Sequence, residues 1–149
     1  DSDIVWDSKD FMRMLALGTK MDVVGAGYSS KEDTDPLVTI STLDNEMAKN
    51  EFGCIEVAGL GLGFTVVNRK VMQAVADISP KVLYSQRNMK TDEPMSMMFR
   101  CDIIGEAPVL KPRGEDIAFF SDIRDLGFKV HLDPTISLGH IGPKVYRVS

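Results

Sequence analysis

The stretch Gly114–Gly142, GEDIAFFSDIRDLGFKVHLDPTISLGHIG, decides the fold class of this chain. Apolar residues at helical spacing in its first half predict a helix from about Glu115 to Leu126, which Gly127 ends. The apolar run that follows, Phe128–Leu132, predicts a strand. A helix that leads directly into a buried strand is typical of an α/β domain.

The rest of the chain interleaves helices and strands in the same way. Two further helices are predicted from residues that cap helices well. The first is capped by Asp7 or Ser8 and runs to about Leu17, and the second, Arg69–Ala76, is capped by Asn68. The other predicted strands are Met21–Gly25, Leu37–Leu43, Cys54–Val57, Phe64–Val67 and Ser96–Ile104. We therefore expect an α/β fold with a mixed sheet flanked by helices, in one domain spanning residues 1–149.

The same patterns assign residues to the core and to the surface. Gly18 is expected to end the first helix in the left-handed conformation. Apolar residues expected in the core are Phe11, Met14, Leu15, Val23 and Val24. The side chains expected to share one face of the Ser96–Ile104 strand are those of Met97, Phe99, Cys101 and Ile103. The polar, acidic segment Tyr28–Pro36 is expected to be a surface loop.

Composition limits the classes of function. Hydrophobic residues make up 44% and charged residues 26% of the 149 residues, as in ordinary globular domains. The net charge of -5 and the lack of a basic run argue against nucleic acid as a partner. The apolar stretches Val23–Gly27 and Val57–Val67 are too short and too rich in glycine to span a bilayer. We expect Cys54 and Cys101 to be buried free thiols in a reducing compartment, rather than a disulfide, and the protein to be cytoplasmic.

The first candidate site is Asp1-Ser2-Asp3. If these residues end a strand, the two-residue period places both carboxylates on one side. Two such groups hold a divalent cation well, and the cation in turn binds a diphosphate. Taken alone the pattern is weak, because Asp-x-Asp also occurs on many surface turns.

The second candidate site is Gly114-Glu115-Asp116, at the start of the Glu115–Leu126 helix. Asp116 precedes Phe119 and Phe120 by three and four residues, so we expect it at a cleft wall, with Asp122 and Asp125 on the solvated side. A carboxylate there suits a group that takes the proton of an attacking hydroxyl. The alternative is that Glu115 and Asp116 only stabilise the first helical turn.

The third candidate is His140, which lies between Gly139 and Gly142 and is expected in a loop. A neutral imidazole completes a metal site that two carboxylates begin, and a mixed nitrogen and oxygen ligand set favours Mn²⁺ over Mg²⁺. A structural role is the alternative for His140 and the expected role for His131. The glycines of Gly59–Gly63 either bring the backbone close to a sugar or mark a kinked strand.

Taken together and in this order, the motifs resemble one family. Asp1-Ser2-Asp3 and a helix, then AGLGLGFTVVNRKVM (residues 58–72), then the 114–142 stretch, are similar to the GT-A glycosyltransferases related to family 2. The resemblance covers nearly the whole chain. It implies a nucleotide-diphosphate-sugar transferase fold and transfer of a sugar from a nucleotide-diphosphate-sugar donor to a hydroxyl acceptor.

The resemblance also implies roles for individual residues. Asp1 and Asp3 match the family's DxD motif, which binds the metal and the donor's diphosphate and ribose. His140 matches a histidine that joins the metal shell in some members. Asp116, with Glu115 beside it, matches the acidic segment that faces the acceptor, and the pair is the predicted catalytic group. The predicted lining of the sugar and acceptor pocket is Gly61 and Gly63.

The chain departs from the family at its front. Relatives place a nucleotide-binding half before DxD, which at about 30 residues per βαβ unit needs on the order of 60–100 residues. We therefore expect the chain to be the C-terminal, metal and acceptor part of the domain, inactive alone and prone to form homo-oligomers through exposed strand edges. The segments expected to associate are the strand with Val23 and Val24 and the face formed by Met97, Phe99, Cys101 and Ile103. The alternatives are a non-catalytic binding module and, less in keeping with the motifs, a nucleotidyltransferase.

Overall fold

The computed structural model describes residues 2–31, 39–43, 47–83, 85–86, 89–90 and 93–147. The described residues form three α-helices, α1 (Ser8–Gly18), α2 (Arg69–Ile78) and α3 (Glu115–Asp125), and one 3₁₀ turn, Leu62–Phe64. The strands are β1 (Ile4–Val5), β2 (Val23–Gly25), β3 (Ile40–Ser41), β4 (Ile55–Val57), β5 (Gly59–Leu60), β6 (Thr65–Val67), β7 (Lys81–Val82), β8 (Ser85–Gln86), β9 (Met89–Lys90), β10 (Met95–Ser96), β11 (Asp102–Glu106), β12 (Val109–Arg113), β13 (Val130–Leu132), β14 (Gly139–Ile141) and β15 (Val145–Arg147).

A four-stranded mixed sheet lies at the centre, in the order β4-β13-β2-β6. Strands β13 and β2 are parallel, and both outer pairings are antiparallel. Successive residues of a strand face opposite sides, so Val23 packs with α2 and α3 on one face while Val24 packs with α1 on the other. The α/β class with a mixed sheet and flanking helices is therefore confirmed, and both valines are fully buried as predicted.

A second sheet, in the order β1-β14-β15, joins the two ends of the chain. Ile4 pairs with His140 and Val5 with Gly139, both in antiparallel register. A short antiparallel ladder between β3 and β5 lies beside α3 and pairs Ile40 with Leu60. These two assemblies position the groups discussed below.

The residues predicted to cap the first two helices are confirmed. The Asp7 and Asn68 side chains accept hydrogen bonds from the backbone N–H groups of Lys9 and Lys70, as N-caps do. Gly127, with φ of 83°, ends α3 as predicted. The predicted left-handed stop at Gly18 is wrong, because Gly18 is the last residue of α1 and has no positive φ.

The reason for a glycine at position 18 is close packing. A Cβ on Gly18 would lie 2.5 Å from Cγ1 of Val66 on β6, so no larger residue fits there without a shift. The buried stripe of α1 is Met14 and Leu17, three residues apart, and the neighbouring Phe11 and Leu15 are exposed. Their predicted burial is wrong because the stripe that meets the sheet is narrow.

The surface expectations for two other residues are also wrong. Tyr28, expected in a surface loop, is buried in the cluster around α1, while the rest of that loop beyond Lys31 lies outside the described residues. Asp122, expected on the solvated side of α3, is buried because the Arg100 guanidinium hydrogen-bonds both of its oxygens.

The predicted strand Ser96–Ile104 does not form as one element. Its start belongs to β10, which pairs with β7, and its end belongs to β11, which pairs with β12. The four residues predicted to share one face of this strand are all exposed, namely Met97, Phe99, Cys101 and Ile103. The Phe99 ring still packs against Phe119 of α3, with 4.6 Å between ring centroids. Of the two free thiols, only Cys54 is buried as predicted.

The strand that carries Val23 and Val24 was expected to offer an open edge to a second copy of the chain. Strand β2 instead lies inside the central sheet between β13 and β6, so this expectation is wrong. Self-association through the exposed apolar residues near Ile103 stays a prediction. None of the described helices combines the length and the apolar composition that crossing a bilayer requires.

Candidate functional site

Pairing of β1 with β14 brings Asp3 and His140 together from opposite ends of the chain. The backbone N–H of Ile141 donates to the Asp3 carbonyl at 2.8 Å, and the two side chains approach to 3.3 Å between His140 Nε2 and Asp3 Oδ2. His140 was predicted in a loop but lies in the middle strand of its sheet, because β1 and β15 pair with β14 on both sides. Asp1 lies outside the described residues.

The second ring nitrogen of His140 sets the tautomer. Nδ1 lies 2.8 Å from the Ser29 carbonyl oxygen, and because a carbonyl only accepts, Nδ1 carries a proton. In the neutral ring, Nε2 then presents its lone pair toward the Asp3 carboxylate. This is the arrangement by which proteins orient histidine ligands for a metal.

Lys31 contacts the same oxygen of Asp3. Its Nζ lies 2.7 Å from Oδ2, and this hydrogen bond holds the pKa of the Asp3 carboxyl below its usual value. Both side chains are partly exposed, so the pair contributes little to stability.

Asp3 and His140 together fit a divalent cation. Neighbouring ligand atoms around an octahedral ion with bonds of about 2.1 Å lie about 3 Å apart, close to the 3.3 Å separation of Oδ2 and Nε2. Within the described ranges no group of three or more His, Cys, Asp or Glu side chains is close enough to hold a metal. The pair thus offers two ligands, and ions of this class take further ligands from substrate phosphates and water.

Gly61 and Gly63 make room for the ring of Tyr28. A Cβ on Gly61 would lie 2.7 Å from Tyr28 Cζ and still closer to the hydroxyl oxygen, and one on Gly63 would lie 2.8 Å from Cε1. The ring in turn packs edge-on against His140, with 5.1 Å between ring centroids. The glycines therefore act on the site through Tyr28, a residue that the sequence patterns did not single out.

Replacing Gly61 with alanine is expected to lower the free energy of unfolding by about 1–2 kcal/mol, because the added methyl group overpacks against Tyr28. Denaturant unfolding measures this cost. In a Tyr28→Phe background the cost should shrink, since the nearest atom, the hydroxyl oxygen, is gone. An equal cost in both backgrounds would mean that the Tyr28 hydroxyl is not the cause, and would leave the ring carbon and the Thr39 hydroxyl as the atoms that the methyl group meets.

A cavity of about 390 Å³ lies between α3 and the β3–β5 ladder. Polar or small residues that line it are Thr39, Ser41, Gly61, Asp116, Ser121 and Arg124. Asp116 is half-buried in this wall at the first turn of α3. Glu115 is exposed and accepts a weak hydrogen bond from Cys101 Sγ at 3.6 Å, so only one of the two predicted catalytic residues lines the cavity.

Tyr28 connects the cavity with the Asp3–His140 pair. Its ring contacts His140, and its hydroxyl end approaches Gly61 in the cavity wall. Burial raises the pKa of the Tyr28 phenol, and the carboxylates of Asp116 and Asp3 both add to the rise. Tyr28 therefore contacts His140 on one side and approaches Gly61 of the cavity wall on the other.

No protein family and no curated protein matches this sequence. Among solved structures, the chain is similar to A197 from STIV, with a TM-score of 0.53 and 21% sequence identity. The match covers 100% of this chain and 63% of A197, so the chain spans less than two thirds of that protein's length. At this identity the similarity establishes a shared fold and nothing about activity.

Proposed function

We propose that this chain forms the metal and acceptor side of a GT-A-type domain that transfers a sugar from a nucleotide-diphosphate sugar to a hydroxyl acceptor. The observation that carries the proposal is the meeting of Asp3 and His140, with Nε2 and Oδ2 at 3.3 Å. A site of this kind needs ligands for a cation beside a cavity that holds the acceptor. The proposal is supported by Tyr28, which contacts His140 and also approaches Gly61 in the wall of the cavity.

On the donor side, Asp3 Oδ2 and His140 Nε2 would hold a divalent cation, Mn²⁺ in preference to Mg²⁺, since one ligand is an imidazole nitrogen. The bound cation would supply positive charge against the departing diphosphate. The Ser29 carbonyl keeps the imidazole in the ligating tautomer. Lys31, whose ammonium the metal ion would displace from Asp3 Oδ2, would be a second positive charge beside the metal position.

On the acceptor side, Asp116 lines the cavity and is placed to accept the proton of the attacking hydroxyl. The acceptor oxygen forms a bond to the anomeric carbon, and the bond from that carbon to the diphosphate oxygen breaks with its electron pair on the diphosphate.

Asp3→Asn and His140→Gln are each expected to weaken Mn²⁺ binding by roughly tenfold or more, the scale on which metal sites respond to changes in ligands and their partners. Paramagnetic broadening of amide signals locates the ion, and calorimetry gives the affinity. Asp77→Asn, an exposed carboxylate on α2, is the matched control and should change nothing. Broadening that maps away from Asp3 and His140 would show that the metal site is wrong.

Lys31→Met should act in the opposite direction. Its ammonium bonds the oxygen that the cation would take, and an exposed ion pair of this kind is worth about 0–1 kcal/mol. Mn²⁺ binding should therefore tighten by a few-fold at most. Lys9→Met removes an exposed lysine that does not contact Asp3 and is the charge-matched control. A gain in Mn²⁺ affinity in Lys31→Met that Lys9→Met does not show indicates competition for the Asp3 carboxylate, and equal gains indicate a general effect of charge.

The reaction class is tested with nucleotide-sugar donors in the presence of Mn²⁺. Donor binding that requires Mn²⁺ and is lost in Asp3→Asn supports the proposal, as does release of nucleoside diphosphate by the full-length gene product. Release of pyrophosphate would indicate a nucleotidyltransferase. Binding of donors with neither product would indicate a binding module.

A further inference from the structure

The cavity beside α3 continues well beyond Asp116. The helix residues that line it, Asp116, Ile117, Phe120, Ser121 and Arg124, follow helical spacing and form one stripe. Asp116 and Arg124 are eight residues apart, which corresponds to about 12 Å along the helix axis. The stripe therefore carries an anion at one end and a cation at the other.

Arg124 differs from the arginines that hold the fold together. Arg13, Arg100 and Arg113 each pair with an aspartate. Within the part of the chain that the structure describes, no carboxylate lies at ion-pair distance from Arg124. Its guanidinium is exposed in the cavity wall and is free to bind an anion from solution.

A second cavity, of about 330 Å³, shares Ser121 and Arg124 with the first. It extends to Gly127 and Lys129, and two carboxylates, Glu56 and Asp125, also line it. Arg124 thus lies where the two cavities meet, and not at the closed end of one. Lys129 is already paired with Glu56 at 2.7 Å, which leaves Arg124 as the unpaired cation of this groove among the described residues. The groove along α3 has room for a ligand longer than one sugar ring.

We infer that the acceptor is a saccharide or polyol that carries an anionic group, a carboxylate or a phosphate, bound by Arg124. The inference rests on the proposed function for the role of Asp116 at the other end of the groove. The reacting hydroxyl lies at Asp116, hydroxyl groups along the ligand face Ser41 and Ser121, and the anion lies at the guanidinium. Arginine suits this task because its fork of N–H donors matches the oxygens of a carboxylate or phosphate.

The test compares glucose, glucuronate and glucose 6-phosphate as ligands of the chain, by shifts of amide signals in nuclear magnetic resonance spectra. The two anionic sugars should bind about tenfold more tightly than glucose, the scale of a hydrogen bond to a charged group, and should shift α3 signals. Arg124→Gln should abolish the preference, and Arg124→Lys should retain part of it. Arg69→Gln, which removes an exposed arginine on α2, should leave it unchanged.

Equal affinity for the three sugars, or a preference that survives Arg124→Gln, overturns the inference. A failure of the proposed function would be seen in a different measurement. Donor binding to the same protein would then not require Mn²⁺, or would be the same in Asp3→Asn as in the wild type. Glucuronate bound in preference to glucose 6-phosphate identifies a uronate acceptor, and the reverse order identifies a phosphorylated one.

Discussion

Asp116→Asn should lower kcat for sugar transfer by roughly 10²-fold or more, the scale on which a general base contributes. Asparagine keeps the size of the side chain but cannot take a proton at neutral pH. Asp116 makes no ion pair within the described residues, so the fold loses little with its charge. Steady-state kinetics and a thermal melt of the same sample measure both quantities.

Glu115→Gln is the matched control for this variant. It removes the neighbouring carboxylate of the same helical turn, but Glu115 is exposed and does not line the cavity. Its effect on kcat should be small. A stability loss above about 2 kcal/mol in Asp116→Asn, with normal kcat, would instead assign Asp116 to stabilising the start of α3.

Arg13→Met should lower the free energy of unfolding by about 2–3 kcal/mol at neutral pH. Asp133, directly after β13, is 0% exposed, and the Arg13 guanidinium is its ion-pair partner. Losing one partner of a fully buried pair costs about 3–5 kcal/mol, and we expect less because the Arg13 side chain is 41% exposed. The remaining bonds from Thr135 to Oδ1 of Asp133 limit the loss further.

The loss of unfolding free energy in Arg13→Met should depend on pH, in a direction that the pKa of Asp133 gives. Burial raises the pKa of the Asp133 carboxyl, but the hydrogen bonds from Arg13 and Thr135 outweigh it, so the pKa is lowered on balance. A lowered pKa stabilises the fold above the unfolded value of about 3.9, and the contribution is lost as pH falls through the folded value. Removing Arg13 takes away one of the contributions that lower this pKa, so the folded pKa of Asp133 is higher in the variant than in wild type. The difference in stability between the two proteins therefore grows as pH rises through the lowered wild-type pKa, and it levels off above the pKa of the variant.

Urea unfolding from pH 3 to pH 7 measures this difference. Arg69→Met is the control, because Arg69 is an exposed arginine at the start of α2 with no ion pair among the described residues. A difference between wild type and Arg13→Met that is the same at every pH would mean that Arg13 stabilises the fold through packing and not through the Asp133 charge.

Helix positions were predictable because their signals are local. Asn68 caps α2 and Gly127 ends α3 through contacts within a few residues, so nothing distant is needed to recognise them. The strand expected over Ser96–Ile104 failed for the opposite reason. Its apolar residues do alternate, but a side chain is buried only where another element packs over it. The alternating residues stay exposed, and the predicted strand ends in the exposed hairpin of β11 and β12.

The same distinction applies to the acidic residues of α3. Spacing alone correctly placed Asp116 with the inner residues of the helix, and this position lines the cavity. Spacing also assigned Asp122 to solvent, which is wrong because Arg100, from a distant segment, neutralises it in place. Helical periodicity predicts which residues share a face of the helix. Whether a charged residue on that face can be buried depends on an oppositely charged partner, which periodicity cannot predict.

The sequence by itself determined the α/β class, the three helices, the caps of α1 and α2 and the end of α3 at Gly127, since these depend on neighbours in the chain. The tertiary structure decided which side chains meet. Asp3 faces His140 only because β1 pairs with β14, and Gly61 is required because Tyr28 and Thr39 pack against it. Such contacts join segments far apart in the chain, and their register is set by the packing of the whole domain.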